Sequence, residues 1–138
     1  MAKSLLQTVN QTTQAVTPTT GAPAIVNLGT ATHGYGCGIK LSGNAIMIDG
    51  SGYFKVDCSI SVAPIATGAV TVALYDGNEQ IDGAVAYGSV STANNPVTLP
   101  LFATIRRGCN CNGADSITVR VIEGEGNVQN VAVRVEKS

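Results

Sequence analysis

Tyr53-Phe54-Lys55-Val56-Asp57-Cys58-Ser59-Ile60-Ser61-Val62-Ala63 alternates without a break. Phe54, Val56, Cys58, Ile60 and Val62 fall on one side of an extended chain; Tyr53, Lys55, Asp57, Ser59 and Ser61 fall on the other. Successive side chains of a strand point to opposite faces, so this period of two predicts a long strand with one face in a core. A helix would carry its apolar residues three and four apart. Pro64 ends the run, because it has no N–H to contribute to a ladder.

The same period extends outward in both directions. Upstream, residues 24–31 predict a first strand and 44–49 a second, closed by the turn Asp49-Gly50-Ser51-Gly52. Downstream, Val70, Val72 and Leu74 alternate with Thr71, Ala73 and Tyr75 before the hairpin signal Asp76-Gly77. Residues 80–90 pair back, with Gly83 and Gly88 marking expected bulges or bends. After Asn94-Asn95-Pro96, Leu99, Leu101, Ala103 and Ile105 alternate with Thr98, Pro100, Phe102 and Thr104, and Pro100 argues for an edge position. A turn over 107–113 leads to Ile117, Val119 and Val121, and Glu123-Gly124-Glu125-Gly126 leads to Val131, Val133 and Val135. About eight short strands joined by Gly-rich turns, with no helical pattern after residue 20, predict an antiparallel sandwich or barrel.

Residues 1–23 differ in character. They are rich in Gln and Thr and end in a Pro/Thr/Gly cluster that reads as a linker. Leu5, Leu6, Val9 and Val16 are compatible with a short amphipathic helix, which would need a partner to be ordered. The segment is either a frayed terminus or an attachment arm, and the domain proper is expected to span 24–138.

A chain of 138 residues fits one domain. Only 12% of its residues are charged, against about 25% in an ordinary domain, although 44% are hydrophobic. Outward strand positions filled by Thr, Ala, Tyr and Phe instead of Lys and Glu point to surface shared with copies of the same chain. A net charge of -1 with eight Lys plus Arg argues against nucleic acid, whose binders neutralise about 6–10 phosphates. The doublet Arg106-Arg107 is expected at a strand end. With no secretory h-region and no run of about 18 apolar residues, no membrane association is expected, and synthesis in a cytoplasm is.

Chemistry-bearing residues are sparse. The one His, His33, lies in the glycine-rich stretch His33-Gly34-Tyr35-Gly36-Cys37-Gly38, read as a solvated loop. Cys58 reads as a small core residue. Cys109-Asn110-Cys111 is tighter than the usual spacing of a zinc site, and a disulfide from Cys37 to Cys109 or Cys111 stays open as an alternative to free thiols. Asp76, Glu79 and Asp82 lie around the hairpin and read as a solvated turn. No catalytic residue, metal or cofactor is expected.

The order Ile46-Met47-Ile48-Asp49-Gly50-Ser51-Gly52, then Gly52-Tyr53-Phe54-Lys55-Val56, and finally Asn130-Val131 through Lys137 resembles the C1q/TNF-like jelly roll. That resemblance implies a trimer about a three-fold axis, with an aromatic beside Gly52 near the axis. Tyr53 and Phe54, joined by the outward Phe102, are the interface candidates. The opening MAKSLLQTVNQTTQAV and closing GNVQNVAVRVEKS resemble small head-fibre or capsid-decoration proteins of gut bacteriophages. This implies a structural virion subunit on the capsid surface, partnered by a major capsid or other virion protein and held by an arm using Leu5, Leu6, Val9 and Val16. The alternative is a knob that binds a receptor or host-surface glycan through Tyr35, Tyr75 or Tyr87, with Asn94-Asn95 or Asn110 and Asn112 supplying hydrogen bonds.

Overall fold

The computed structural model describes residues 4–19, 21–36, 38–107 and 115–137, and every regular element among them is a strand. In chain order these are β1 (Leu5–Asn10), β2 (Gln14–Val16), β3 (Ala24–Ile25), β4 (Thr30–Tyr35), β5 (Ile39–Ser42) and β6 (Ala45–Ile48), followed by β7 (Gly52–Pro64), β8 (Gly68–Asp76), β9 (Glu79–Val90), β10 (Val97–Arg107), β11 (Asp115–Glu123) and β12 (Gly126–Lys137). They build two 6-stranded antiparallel sheets. The first runs β10-β7-β12-β1-β4, with β2 also on β12; the second runs β5-β6-β11-β8-β9, with β3 also on β11. From β6 onward the chain passes repeatedly between the sheets, which makes the sandwich a jelly roll.

The deciding stretch lies at the middle of this plan. Strand β7 pairs with β10 on one side and β12 on the other, so its alternation is read by two neighbours at once. Phe54, Val56, Cys58, Ile60 and Val62 all lie in the core. They are joined from the same sheet by Leu99, Leu101, Ala103 and Ile105 of β10 and by Val128, Val131, Val133 and Val135 of β12. Facing them from the second sheet are Ile46, Ile48, Val70, Val72, Leu74, Ile117, Val119 and Val121. Strand β10 is an edge, as Pro100 requires, and it ends on Arg106-Arg107. Asp76-Gly77 forms the β8–β9 hairpin, with Asp76 opposite Glu79 and Gly77 at φ 63°. The turn after Asp49 does not close a hairpin: β6 and β7 belong to different sheets, so it carries the chain across the sandwich.

The N-terminal segment departs from expectation. Leu5–Asn10 is neither helix nor arm; it is a strand hydrogen-bonded to β12 on one side and β4 on the other. Strand β2 continues along the same edge of β12, pairing Val16 with Gly126. Leu6 and Val16 are buried in the core. The reason is the unpaired edge that β12 would otherwise present, which a six-residue strand satisfies better than an isolated helix of that length could stabilise itself. The jelly roll therefore begins at about Ser4, well before residue 24. The expected first strand over 24–31 is also broken: β3 is short, Val26 and Leu28 enter the core from an irregular stretch, and β4 begins at Thr30. His33 consequently sits on an edge strand, not in a loop.

Two irregularities adjust the register. In β9 the pairing with β8 shifts between Ala73 and Tyr75, and Gly83 takes φ 79° in the unpaired stretch. Gly88 makes no bulge: a Cβ there would meet Leu99 Cδ2 at 3.0 Å, so it permits close approach of β10. In β12 the register with β7 shifts between Val128 and Asn130. This bulge lets Val128 and Val131, three apart in sequence, both face inward.

Candidate functional site

The sandwich has two outer faces, and the aromatic candidates fall on one of them or beneath it. On the first sheet, cross-strand pairing lays out a row from edge to edge: Phe102 opposite Asp57, Asp57 opposite Arg134, Arg134 opposite Gln7, and Gln7 opposite His33. The next row is Thr104, Lys55, Glu136, Leu5 and Tyr35. On the other side of the first row, Pro100, Ser59, Ala132 and Val9 follow.

Four charges on this face are matched across the strands. Arg134 Nη2 donates to Asp57 Oδ2 at 2.9 Å, and Lys55 lies directly opposite Glu136. The hydrogen bond and charge of Asp57, with the charge of Glu136, hold the Arg134 guanidinium above its ordinary range. Arg106 lies over the Tyr53 ring, 6.0 Å from its centroid. Among these groups stand large aromatics: Phe102 is 73% exposed and Tyr53 53%. A shallow depression of about 260 Å³ lies at the centre, lined by Gln7, Ser59 and Ala132 beside the Asp57–Arg134 pair.

Of the expected interface residues, Tyr53 and Phe102 share this face. Phe54 does not; at 2% exposure it is a core residue, because the alternation of β7 that turns Tyr53 outward turns Phe54 inward. Leu5 and Val9, expected on an arm, are half-buried side chains of the same open face.

The second sheet presents a different surface. Tyr87 is 75% exposed on β9, opposite Thr71 of β8. Four residues further along β8 on the same face, roughly 13 Å away at strand rise, is Tyr75. Tyr35 lies at the end of β4 on the first sheet. The three tyrosines are strand residues and do not gather into one site.

Tyr75 sits in an open groove of about 920 Å³ between β8, β11 and the residues Pro18, Thr19, Gly21 and Pro23. Arg120 of β11 stacks on its ring at 4.5 Å from the centroid, donates from Nε to Thr118 Oγ1 at 3.0 Å, and donates from Nη2 to the Gly77 carbonyl at 2.8 Å. Glu123 and Glu125 stand at the far end: Thr71 Oγ1 donates to Glu123 Oε1 at 3.4 Å, and Thr17 Oγ1 to Glu125 Oε1 at 3.5 Å. Sequence reading singled out Tyr75 but neither Arg120 nor this use of the carboxylates. Only the pairing of β8 with β11 places Arg120 beside Tyr75.

The remaining candidates carry less. Burial pushes the Cys58 thiol up to about 12, so it is an inert core group at neutral pH. Cys37, Cys109, Cys111, Asn110 and Asn112 lie outside the described residues. Among the described residues, no three of His, Cys, Asp and Glu come together in a way that would hold a metal ion, and Asp76, Glu79 and Asp82 are no exception. No helix among them is long and apolar enough to cross a membrane.

No protein-family model matches this chain, and no curated protein matches its sequence. Solved structures do match its fold. Murine APRIL at pH 5.0 superposes with a TM-score of 0.72 over 99% of this chain and 100% of the other, at 12% identity. The globular domain of zebrafish complement 1qA gives a TM-score of 0.67 over 96% and 94%, at 8% identity. The PRD1 vertex protein P5 gives 0.65 over 98% of this chain and 72% of that one, at 14% identity. The fold is a C1q/TNF-like jelly roll.

Proposed function

We propose that this chain is a non-enzymatic assembly subunit, a homotrimer packed through the outer face of its first sheet, that serves as a structural element on the surface of a phage particle. The observation that carries the trimer is that face itself. It holds exposed Phe102 and Tyr53, half-buried Leu5, Val9 and Ala132, and two charge pairs already matched across the strands. Matched charges lose less on leaving water than isolated ones, and exposed aromatics supply the anchors on which interfaces depend. The central depression floored by Ser59 and Ala132 has room for a side chain of a neighbouring copy. A heterologous contact of this kind, knob into hollow, closes into a ring when the rotation is right.

The virion role is supported by likeness in fold to a phage vertex protein and by a surface poor in charge. Attachment through a free N-terminal arm is no part of this reading, because β1 and β2 are integral to the first sheet. Light scattering on the purified chain tests the assembly: a mass near three times 14.0 kDa is expected. A monomer that persists at concentrations of about 100 μM, well above an ordinary assembly constant, overturns it. Binding of the tagged chain to particles from which it has been removed tests the virion role separately.

A further inference from the structure

We infer that the groove on the second sheet, between Tyr75, Arg120, Glu123 and Glu125, is a binding site for neutral oligosaccharides. It lies on the face opposite the proposed interface and stays open whether or not the first sheet is covered. At about 920 Å³ it falls within the ~300–1,000 Å³ of small-ligand sites.

The Arg120 guanidinium is held in place before any ligand arrives. Tyr75 below, Thr118 beside and the Gly77 carbonyl in front fix the Arg120 guanidinium, and these bonds use Nε and Nη2 and leave Nη1 to donate. Thr71 and Thr17 each engage one oxygen of Glu123 and Glu125, leaving the second oxygen of each carboxylate to accept. Asn78 adds an amide that can do both, and the rings of Pro18 and Pro23 with Ile122 supply apolar walls.

Charge decides the class of ligand. Two carboxylates against one guanidinium leave the groove anionic, so a sialylated, uronic or phosphorylated ligand is repelled. Sugar hydroxyls instead donate to the carboxylates in charge-assisted bonds and accept from Arg120, while a pyranose CH face lies against the apolar wall. A purely apolar ligand would strip water from three charged groups without replacing the hydrogen bonds that water makes.

The test is a printed array of neutral and acidic oligosaccharides probed with the full chain. Signal on neutral glycans and none on sialylated ones is expected. The double variant Glu123→Gln, Glu125→Gln is expected to weaken binding tenfold or more, as is Tyr75→Ala, whereas Tyr87→Ala on the same sheet but outside the groove retains it. Silence across the neutral glycans, preference for acidic ones, or binding that survives the double variant overturns the assignment. Native mass is read on each variant, so a chain that trimerises and ignores neutral glycans overturns the groove alone.

Discussion

The two outer faces of this sandwich use their charges in opposite ways. On the first sheet two acid–base pairs sit directly opposite one another, Asp57 with Arg134 and Lys55 with Glu136, while Arg106 lies over the Tyr53 ring. On the second, Arg120, Glu123 and Glu125 project around a groove, held by neutral neighbours and only partly used. A shallow face most of whose charges are already paired can be covered by another protein surface at modest desolvation cost. A concave face with spare donors and acceptors invites a small polar ligand. The lesson is that a low count of charged residues says little until their partners are known.

That contrast can be broken most forcefully beneath the first face. Phe54→Ala removes a buried aromatic and is expected to cost about 3–5 kcal/mol in unfolding free energy, while Tyr53→Ala, one residue away and turned outward, changes unfolding of the isolated subunit by less than about 1 kcal/mol. Denaturant titration of both reads the difference. Leu6→Ala, in the segment that resembled an arm, is expected to cost about 2–5 kcal/mol; a loss near zero would restore the arm.

Assembly comes next in size. Phe102→Arg is expected to weaken association by at least ~2 kcal/mol, roughly thirtyfold, whereas Tyr87→Arg on the second sheet leaves the native mass unchanged. Equal loss in both variants would mean that the interface has been placed on the wrong sheet. A smaller effect follows for the exposed pair. Asp57→Asn is expected to change subunit stability by no more than about 1 kcal/mol, and that difference should shrink in high salt.

The smallest effect at neutral pH belongs to Cys58. Its folded thiol titrates at about 12 against an ordinary 9.0, so the neutral thiol's contribution is complete below pH 9 and is lost as pH rises toward 12. Within that window the unfolded chain releases the proton that the folded chain keeps, at ~1.4 kcal/mol per pH unit. Unfolding of wild type and Cys58→Val compared at pH 7 and pH 10.5 should show a steeper alkaline loss in the wild type; parallel losses would mean that the thiol is not shielded.

Much of the fold was legible because β7, β8 and β10 alternate strictly, and a period of two has one structural meaning at that length. Strand β1 was not legible for a specific reason. Its inward pair is Leu6 and Thr8, a polar residue in a core position, while Leu5 and Val9 face outward. Read along the chain, that pattern fits a weak helix. Thr8 lies fully buried with no partner for its hydroxyl among the described residues, a local cost accepted because β12 and β4 together satisfy the strand's backbone. The bulge between Val128 and Asn130 likewise concealed Val128 as a core residue.

The groove was legible only at Tyr75. Alternation determined by itself that this chain is all-β, a sandwich or a barrel, which side chains of β7 and β10 face the core, and that Phe102 and Tyr53 do not. Only the tertiary structure decided that residues 5–16 complete the first sheet, and that Arg120 and Glu123 stand with Tyr75. Periodicity is set by the local geometry of the backbone, whereas register between strands distant in sequence is set by the packing and hydrogen bonds of the assembled sheets.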